Sequence, residues 1–187
     1  MKDTDGNGTI TSDDRQVIAT PEPKFFGGWT NTFTYKNLSL SFLMQFSCGG
    51  EAVYSNLGEE ISGVLGQSVG RELYGNTWTP ERTDAKYARL VAGTMSYNYM
   101  ANDRFVFDTS YLRMKNITLS YSLPKAWINK LYLSNASLFV TATNLFTITQ
   151  WPGLDPETVA TGITSMGTNN DPYPLSRSFS LGVKLQF

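Results

Sequence analysis

The stretch "SRSFSLGVKLQF", residues 176–187, decides the fold. Phe179, Leu181, Val183, Leu185 and Phe187 share one parity; Ser176, Ser178, Ser180, Gly182, Lys184 and Gln186 share the other. Successive side chains of a strand point to opposite faces, so this period of two predicts a β-strand with one apolar and one polar or small face. The same pattern runs through "LSLSFLMQFSC", where Leu38, Leu40, Phe42, Met44, Phe46 and Cys48 oppose Ser39, Ser41, Gln45 and Ser47, with Leu43 the exception.

Working outward, "GWTNTFTY" sets Trp29, Phe33 and Tyr35 against Thr30, Thr32 and Thr34. Lys36-Asn37 then predicts a tight hairpin turn, Asn being tolerant of positive φ. In "LRMKNITLSYSL" the apolar set is Ile117, Leu119, Tyr121 and Leu123, opposite Asn116, Thr118, Ser120 and Ser122. In "SLFVTATNLFTIT" it is Leu138, Val140, Ala142, Phe146 and Ile148, with Phe139 and Leu145 out of parity and Asn144 on the apolar side. These strands run about 10 to 13 residues, longer than the usual 5 or 6 and close to the 9 to 11 of a tilted membrane strand. The fold expected is all-β: an antiparallel transmembrane β-barrel represented by its last five or so strands. The other reading is a β-sandwich whose apolar face packs on a partner sheet.

Connections alternate short and long, as in barrels with short periplasmic turns and long extracellular loops. The expected layout is a calcium-like extracellular loop at 1–22, a hairpin at 25–48 and a long extracellular loop at 49–108. Two strands with a periplasmic turn follow at 109–149, then an extracellular loop at 150–175 and the terminal strand at 176–187. A short helix is expected around 61–73, and one helical turn in "PKAWINKLYL" behind Pro124, with Trp127 as an interfacial anchor. The loop aromatics Tyr54, Tyr74, Trp78, Tyr97 and Tyr99 serve either ligand stacking or packing of the loop.

"DTDGNGTITSDD", residues 3–14, has the spacing of an EF-hand calcium loop. Asp3, Asp5, Asn7, Thr9 (through its carbonyl), Thr11 and Asp14 occupy the liganding positions, Gly8 the sharp turn and Ile10 the apolar anchor. An Asx-rich turn without metal is the competing reading. A calcium sensor is not expected: sensing needs a helix on each side of the loop, and the stretch after it reaches Pro21 within one or two turns.

Composition narrows the chemistry. The 187 residues carry a net charge of -1, with no histidine and one cysteine, Cys48. No nucleic-acid footprint, histidine base, cysteine metal cluster or internal disulfide is implied. Aromatics reach 13% and charged residues only 17%, below the usual quarter or so. Gly66-Gln67-Ser68-Val69-Gly70 matches a nucleophile elbow, but its serine has no histidine partner. Glu59 with Glu60, and Asp155 with Glu157, read as solvated carboxylates. No enzyme is expected.

Seven stretches then carry a resemblance: "DTDGNGTITSDDR", "PEPKFFGGWTNTFTYKNLSLSF", "NTWTPERTDAKYARL", "YLRMKNITLSYSLPKAW", "NLFTIT", "GLDPE" and "YPLSRSFSLGVKLQF". In this order they resemble the C-terminal end of the SusC/RagA family of TonB-dependent outer-membrane transporters of Bacteroidetes. The resemblance implies import of oligosaccharides or peptides with a SusD-like lipoprotein, and an integral outer-membrane location with a periplasmic C-terminus. Further partners implied are the remaining barrel and plug, TonB through that plug, and the lipid bilayer. Ser180, Gly182, Leu185 and Phe187 resemble the terminal signal read by the barrel-assembly machinery. Five strands cannot close a barrel of the family's type, so the chain reads as a fragment, a split gene or an excerpt. The alternative function is a secreted β-sandwich or dockerin-like calcium-stabilised interaction module; calcium would be structural in either case.

Overall fold

A computed structural model describes residues 2–54, 71–89, 103–159, 168–169 and 173–187. The expected short helix at 61–73 falls mostly outside these, as do the Gly66–Gly70 motif, Glu59, Glu60, Tyr97 and Tyr99. The chain divides into two compact units.

One unit comprises Pro23–Gly49, Thr109–Gln150 and Pro174–Phe187. Its strands are β1 (Phe25–Tyr35), β2 (Leu38–Cys48), β5 (Tyr111–Ser122), β6 (Asn135–Thr143), β7 (Thr147–Thr149) and β9 (Ser178–Gln186). They form one antiparallel sheet in the order β1-β2-β5-β6-β9, with β7 beside the lower part of β5. The register aligns the alternating sets across the whole sheet. Phe42 faces Ile117, Ile117 faces Ala142, and Ala142 faces Phe179 on the apolar side. Hydroxyls meet on the other: Thr32 donates to Ser41 at 3.1 Å, and Thr118 and Thr141 share a bond of 2.9 Å. Trp29 packs edge-on to Phe42 at 5.6 Å, a diagonal cross-strand pair that adds about 0.5–1.5 kcal/mol beyond its buried area.

The irregular residues have steric explanations. Phe139, out of parity in the sequence, lies on the polar face opposite Gly182, and its ring covers that glycine. A Cβ at Gly182 would run into the ring. The bulge between Leu43/Met44 on β2 and Met114/Asn116 on β5 leaves Lys115 unmatched. Opposite it, Asn144 takes a left-handed backbone (φ 49) and donates its amide to the Lys115 carbonyl at 3.0 Å, linking β6 to β7. The hairpin turn forms at Lys36-Asn37, but the left-handed residue is Lys36 (φ 52). The helical turn behind Pro124 is α1 (Lys125–Ile128), with Trp127 exposed.

The sheet is open, which corrects the expected transmembrane barrel. Closure requires the first and last strands to pair, yet among the described residues β1 pairs only with β2 and β9 only with β6. A barrel needs roughly eight strands to close around filled side chains. An open edge within hydrocarbon leaves backbone groups unsatisfied at several kcal/mol each. The integral outer-membrane location expected for this chain is corrected with it. Alternation had reported the two faces of each strand, and it is blind to edges.

The second unit comprises Met1–Glu22, Gly50–Asp108 and Trp151–Tyr173. Here β3 (Glu51–Tyr54) runs antiparallel to β4 (Val106–Asp108) and parallel to β8 (Thr168–Asn169). Leu73, Tyr87 and Phe105 form a small core against Val53. Tyr54, Phe107 and Trp151 meet edge-on with centroids 5.7 to 6.5 Å apart. The packing role thus holds for Tyr54, whereas Tyr74 is exposed. Asp155, expected to be solvated, is 4% exposed and caps the turn Pro156–Thr158 by accepting from the Glu157 amide at 3.0 Å.

The Phe139–Gly182 contact yields a test. Gly182→Val should destabilise the chain by about 1–3 kcal/mol, the range for overpacking. Adding Phe139→Ala should recover part of that loss, as read from urea denaturation of the single and double variants.

Candidate cation site

The loop at residues 3–14 folds around its own carboxylates. Asp3 accepts the Gly6 amide on Oδ1 at 2.7 Å and the Gly8 amide on Oδ2 at 2.8 Å. Those bonds require the chain to double back, which it does with Gly6 (φ +76) and Gly8 (φ +80) in conformations open mainly to glycine. Asp5 Oδ1 accepts the Asn7 amide at 3.0 Å, and Asn7 Oδ1 accepts the Thr9 amide at 2.7 Å, giving successive Asx turns.

The loop closes at Asp14. Its Oδ1 accepts the Thr4 amide at 2.6 Å and its Oδ2 the Thr11 amide at 2.8 Å, ten and three residues back. Thr11 in turn accepts from the Asp13 amide and caps the 3₁₀ turn Ser12–Asp14, a reciprocal capping box. Asp14 is buried and Asp5 exposed.

Ligand oxygens of Asp3, Asp5 and Asp14 lie within 4.8 Å of one another. Oxygens on opposite sides of a Ca²⁺ at 2.3–2.6 Å stand roughly 5 Å apart, so this set has the spacing of a calcium cage. Its all-oxygen chemistry suits a hard divalent cation. Both oxygens of Asp3, and Oδ2 of Asp14, each accept one amide and keep a second lone pair, whereas Asp14 Oδ1 accepts both the amide and the hydroxyl of Thr4. The three carboxylates can therefore coordinate a divalent cation, as the loop spacing implied. Asn7 and Thr9 sit on the same loop, with the Asn7 side chain bonded to Asp5 at 2.7 Å. Ile10, the expected apolar anchor, is exposed. Thr4, which ties the loop to Asp14 by amide and hydroxyl, was not singled out by the motif, since it occupies no liganding position.

The amides hold both end carboxylates below their ordinary value of 3.8: those of Gly8 and then Gly6 for Asp3, those of Thr11 and then Thr4 for Asp14. A depressed carboxylate contributes stability that is fully present above 3.8 and is lost as pH falls through its lower folded value. Protection of the Gly6, Gly8, Thr4 and Thr11 amides, measured relative to their intrinsic exchange rates at each pH, should thus persist from neutrality down past pH 3.8 and be lost only below it. Asp14→Asn should raise exchange at Thr4 and Thr11 already at neutral pH.

The four terminal-strand residues occupy different environments. Ser180 faces Thr141, Gly182 lies under Phe139, Leu185 pairs with the buried Ala136, and Phe187 is exposed.

No family model matches the chain. TonB-dependent receptor P3 of Formosa agariphila is 33% identical over 191 residues, covering 99% of this chain and 18% of that receptor. TonB-dependent receptor SusC of Bacteroides thetaiotaomicron is 32% identical over 187 residues, covering 99% of this chain and 17% of its own length. Among solved structures, a chain of the RagAB peptide importer in the closed-closed state superposes with a TM-score of 0.78 at 22% identity, over 100% of this chain and 20% of that one. The open-open state gives 0.75 at 21%. The chain is distantly homologous to the SusC/RagA type of TonB-dependent receptor and spans about a fifth of such proteins. These homologues are transport proteins, not enzymes.

Import across the outer membrane, expected of this chain from the resemblance, is corrected by its geometry. An open five-strand path encloses no lumen through which a substrate could pass.

Proposed function

We propose that this chain is a non-catalytic interaction module, corresponding to the C-terminal segment of a SusC/RagA-type protein. Its sheet docks through its two edges while a calcium ion stiffens residues 3–14. The open sheet carries this reading. The outer sides of β1, eleven residues long, and β9, nine residues long, present backbone groups with no strand against them among the described residues. Such edges are templates for strand addition, in which main-chain hydrogen bonds give affinity. The natural occupants are further strands of a longer homologous protein. Ser180, Gly182, Leu185 and Phe187 belong to this scheme as residues read by a factor that pairs with the β9 edge.

The cation-binding loop fits an extracellular face that meets a SusD-like lipoprotein. Calcium would tie Asp3, Asp5 and Asp14 together, with Asn7 and the Thr9 carbonyl completing the shell. TonB contacts belong to the other four fifths of a homologous protein.

The test is capture of a SusD-like lipoprotein by the 187-residue chain in calcium and in chelator. Capture that weakens tenfold or more in chelator, with the same loss in Asp5→Asn at full calcium, is the expected result. Equal capture in both buffers, or none in either, contradicts the proposal. Titration calorimetry should separately show calcium uptake by the parent chain and at least tenfold weaker uptake by Asp3→Asn.

A further inference from the structure

Asn7-Gly8 is the only Asn-Gly pair in the 187 residues. Such a pair is prone to lose the asparagine amide, because glycine has no Cβ to shield its backbone nitrogen or restrict its approach. The Gly8 nitrogen gives up its proton and attacks Asn7 Cγ, forming the new N–Cγ bond of a five-membered succinimide. The Cγ–Nδ2 bond breaks, and Nδ2 leaves as ammonia with a proton equivalent to the one Gly8 lost. Water then opens either carbonyl of the ring. One opening gives aspartate; the other gives isoaspartate, whose main chain runs through the former side chain. The sum is amide plus water to acid plus ammonia, and no oxidant or reductant enters.

Sterics leave this reaction open. Asn7 and Gly8 are exposed, and a Cβ added at Gly8 would meet nothing within 4 Å. Hydrogen bonds do not leave it open. The Gly8 N–H that must lose its proton is donated to Asp3 Oδ2 at 2.8 Å, where the carboxylate charge disfavours a nitrogen anion. The Asn7 side-chain amide is held at both ends. Its Oδ1 accepts the Thr9 amide at 2.7 Å, and its Nδ2 donates to Asp5 Oδ2 at 2.7 Å. Attack makes Cγ tetrahedral and destroys the plane in which those two bonds are made. The nucleophile, the carbonyl oxygen and the leaving group are thus all engaged elsewhere while the loop is closed.

We propose that Asn7 is a deamidation site, held unreactive by the closed loop and released when the loop opens. The bonds that hold it are the loop's own and need no cation. The change runs one way. Isoaspartate lengthens the main chain by a methylene, so the Gly8 amide no longer falls on Asp3. Either product puts a carboxylate where Nδ2 had donated to Asp5, and the two repel. An opening of the loop is therefore recorded in its covalent structure.

The experiment is incubation of the 187-residue chain at neutral pH, followed by mass spectrometry of its tryptic peptides. Chelator is present throughout, so that the outcome bears on the hydrogen bonds and not on cation binding. Cleavage after Lys2 and Arg15 releases residues 3–15, in which Asn7 is the only asparagine. The mass gain from amide to acid in that peptide therefore reports Asn7, and fragmentation separates aspartate from isoaspartate. Three hydrogen bonds must be given up, so the folded chain should react roughly tenfold or more slowly than the same chain unfolded in urea. Asp3→Ala, which frees the Gly8 amide, should bring the folded rate most of the way to the unfolded one. Circular dichroism checks that this variant keeps its sheet. If it does not, Asp5→Ala, which frees Nδ2, carries the same test. Equal rates in the folded and unfolded parent chain overturn the proposal, as does a folded Asp3→Ala chain that reacts as slowly as the parent. A peptide that gains no mass even in urea overturns it too.

Discussion

The constraint on which the rest of the structure depends is the obligation of each backbone N–H and C=O to find a partner. In the middle of the sheet it is met on both sides: β2 lies between β1 and β5, and β6 between β5 and β9. At β1 and β9 it is met on one side only. That single asymmetry separates an open sheet from a barrel. It removes the lumen on which import through this chain would rest, and it leaves both edges open to strand addition. The interaction module weighed as the alternative at the sequence level is therefore the better reading of the geometry.

Much of the sheet was legible because its signal is local. The alternation in Phe179, Leu181, Val183 and Leu185, or in Leu38 through Cys48, depends only on where neighbouring side chains point. The breaks in the pattern were legible only as anomalies. Phe139 needed its cross-strand neighbour Gly182, 43 positions away, to make sense. Asn144 needed the bulge at Lys115. The register leaves Lys36 and Asn37 as a two-residue loop, and the left-handed residue is its first, Lys36, not the more tolerant Asn37. Closure was not legible at all, since it concerns which strands meet and not what each strand looks like.

The cation loop was the more readable site for the same reason. Its donors lie within twelve residues, so spacing alone placed Asp3, Asp5 and Asp14 together. Spacing did not reveal that Asp14 also serves as the clasp, holding Thr4 and Thr11 by their amides.

The measurement that bears most directly on this account is site-resolved amide hydrogen exchange on a monomeric sample of the chain. An open sheet predicts slow exchange throughout β2, β5 and β6, with alternate amides of β1 and β9, those facing away from β2 and β6, exchanging orders of magnitude faster. Uniform protection along both β1 and β9 would mean that the edges are already paired, and it would contradict the open sheet on which the functional reading stands.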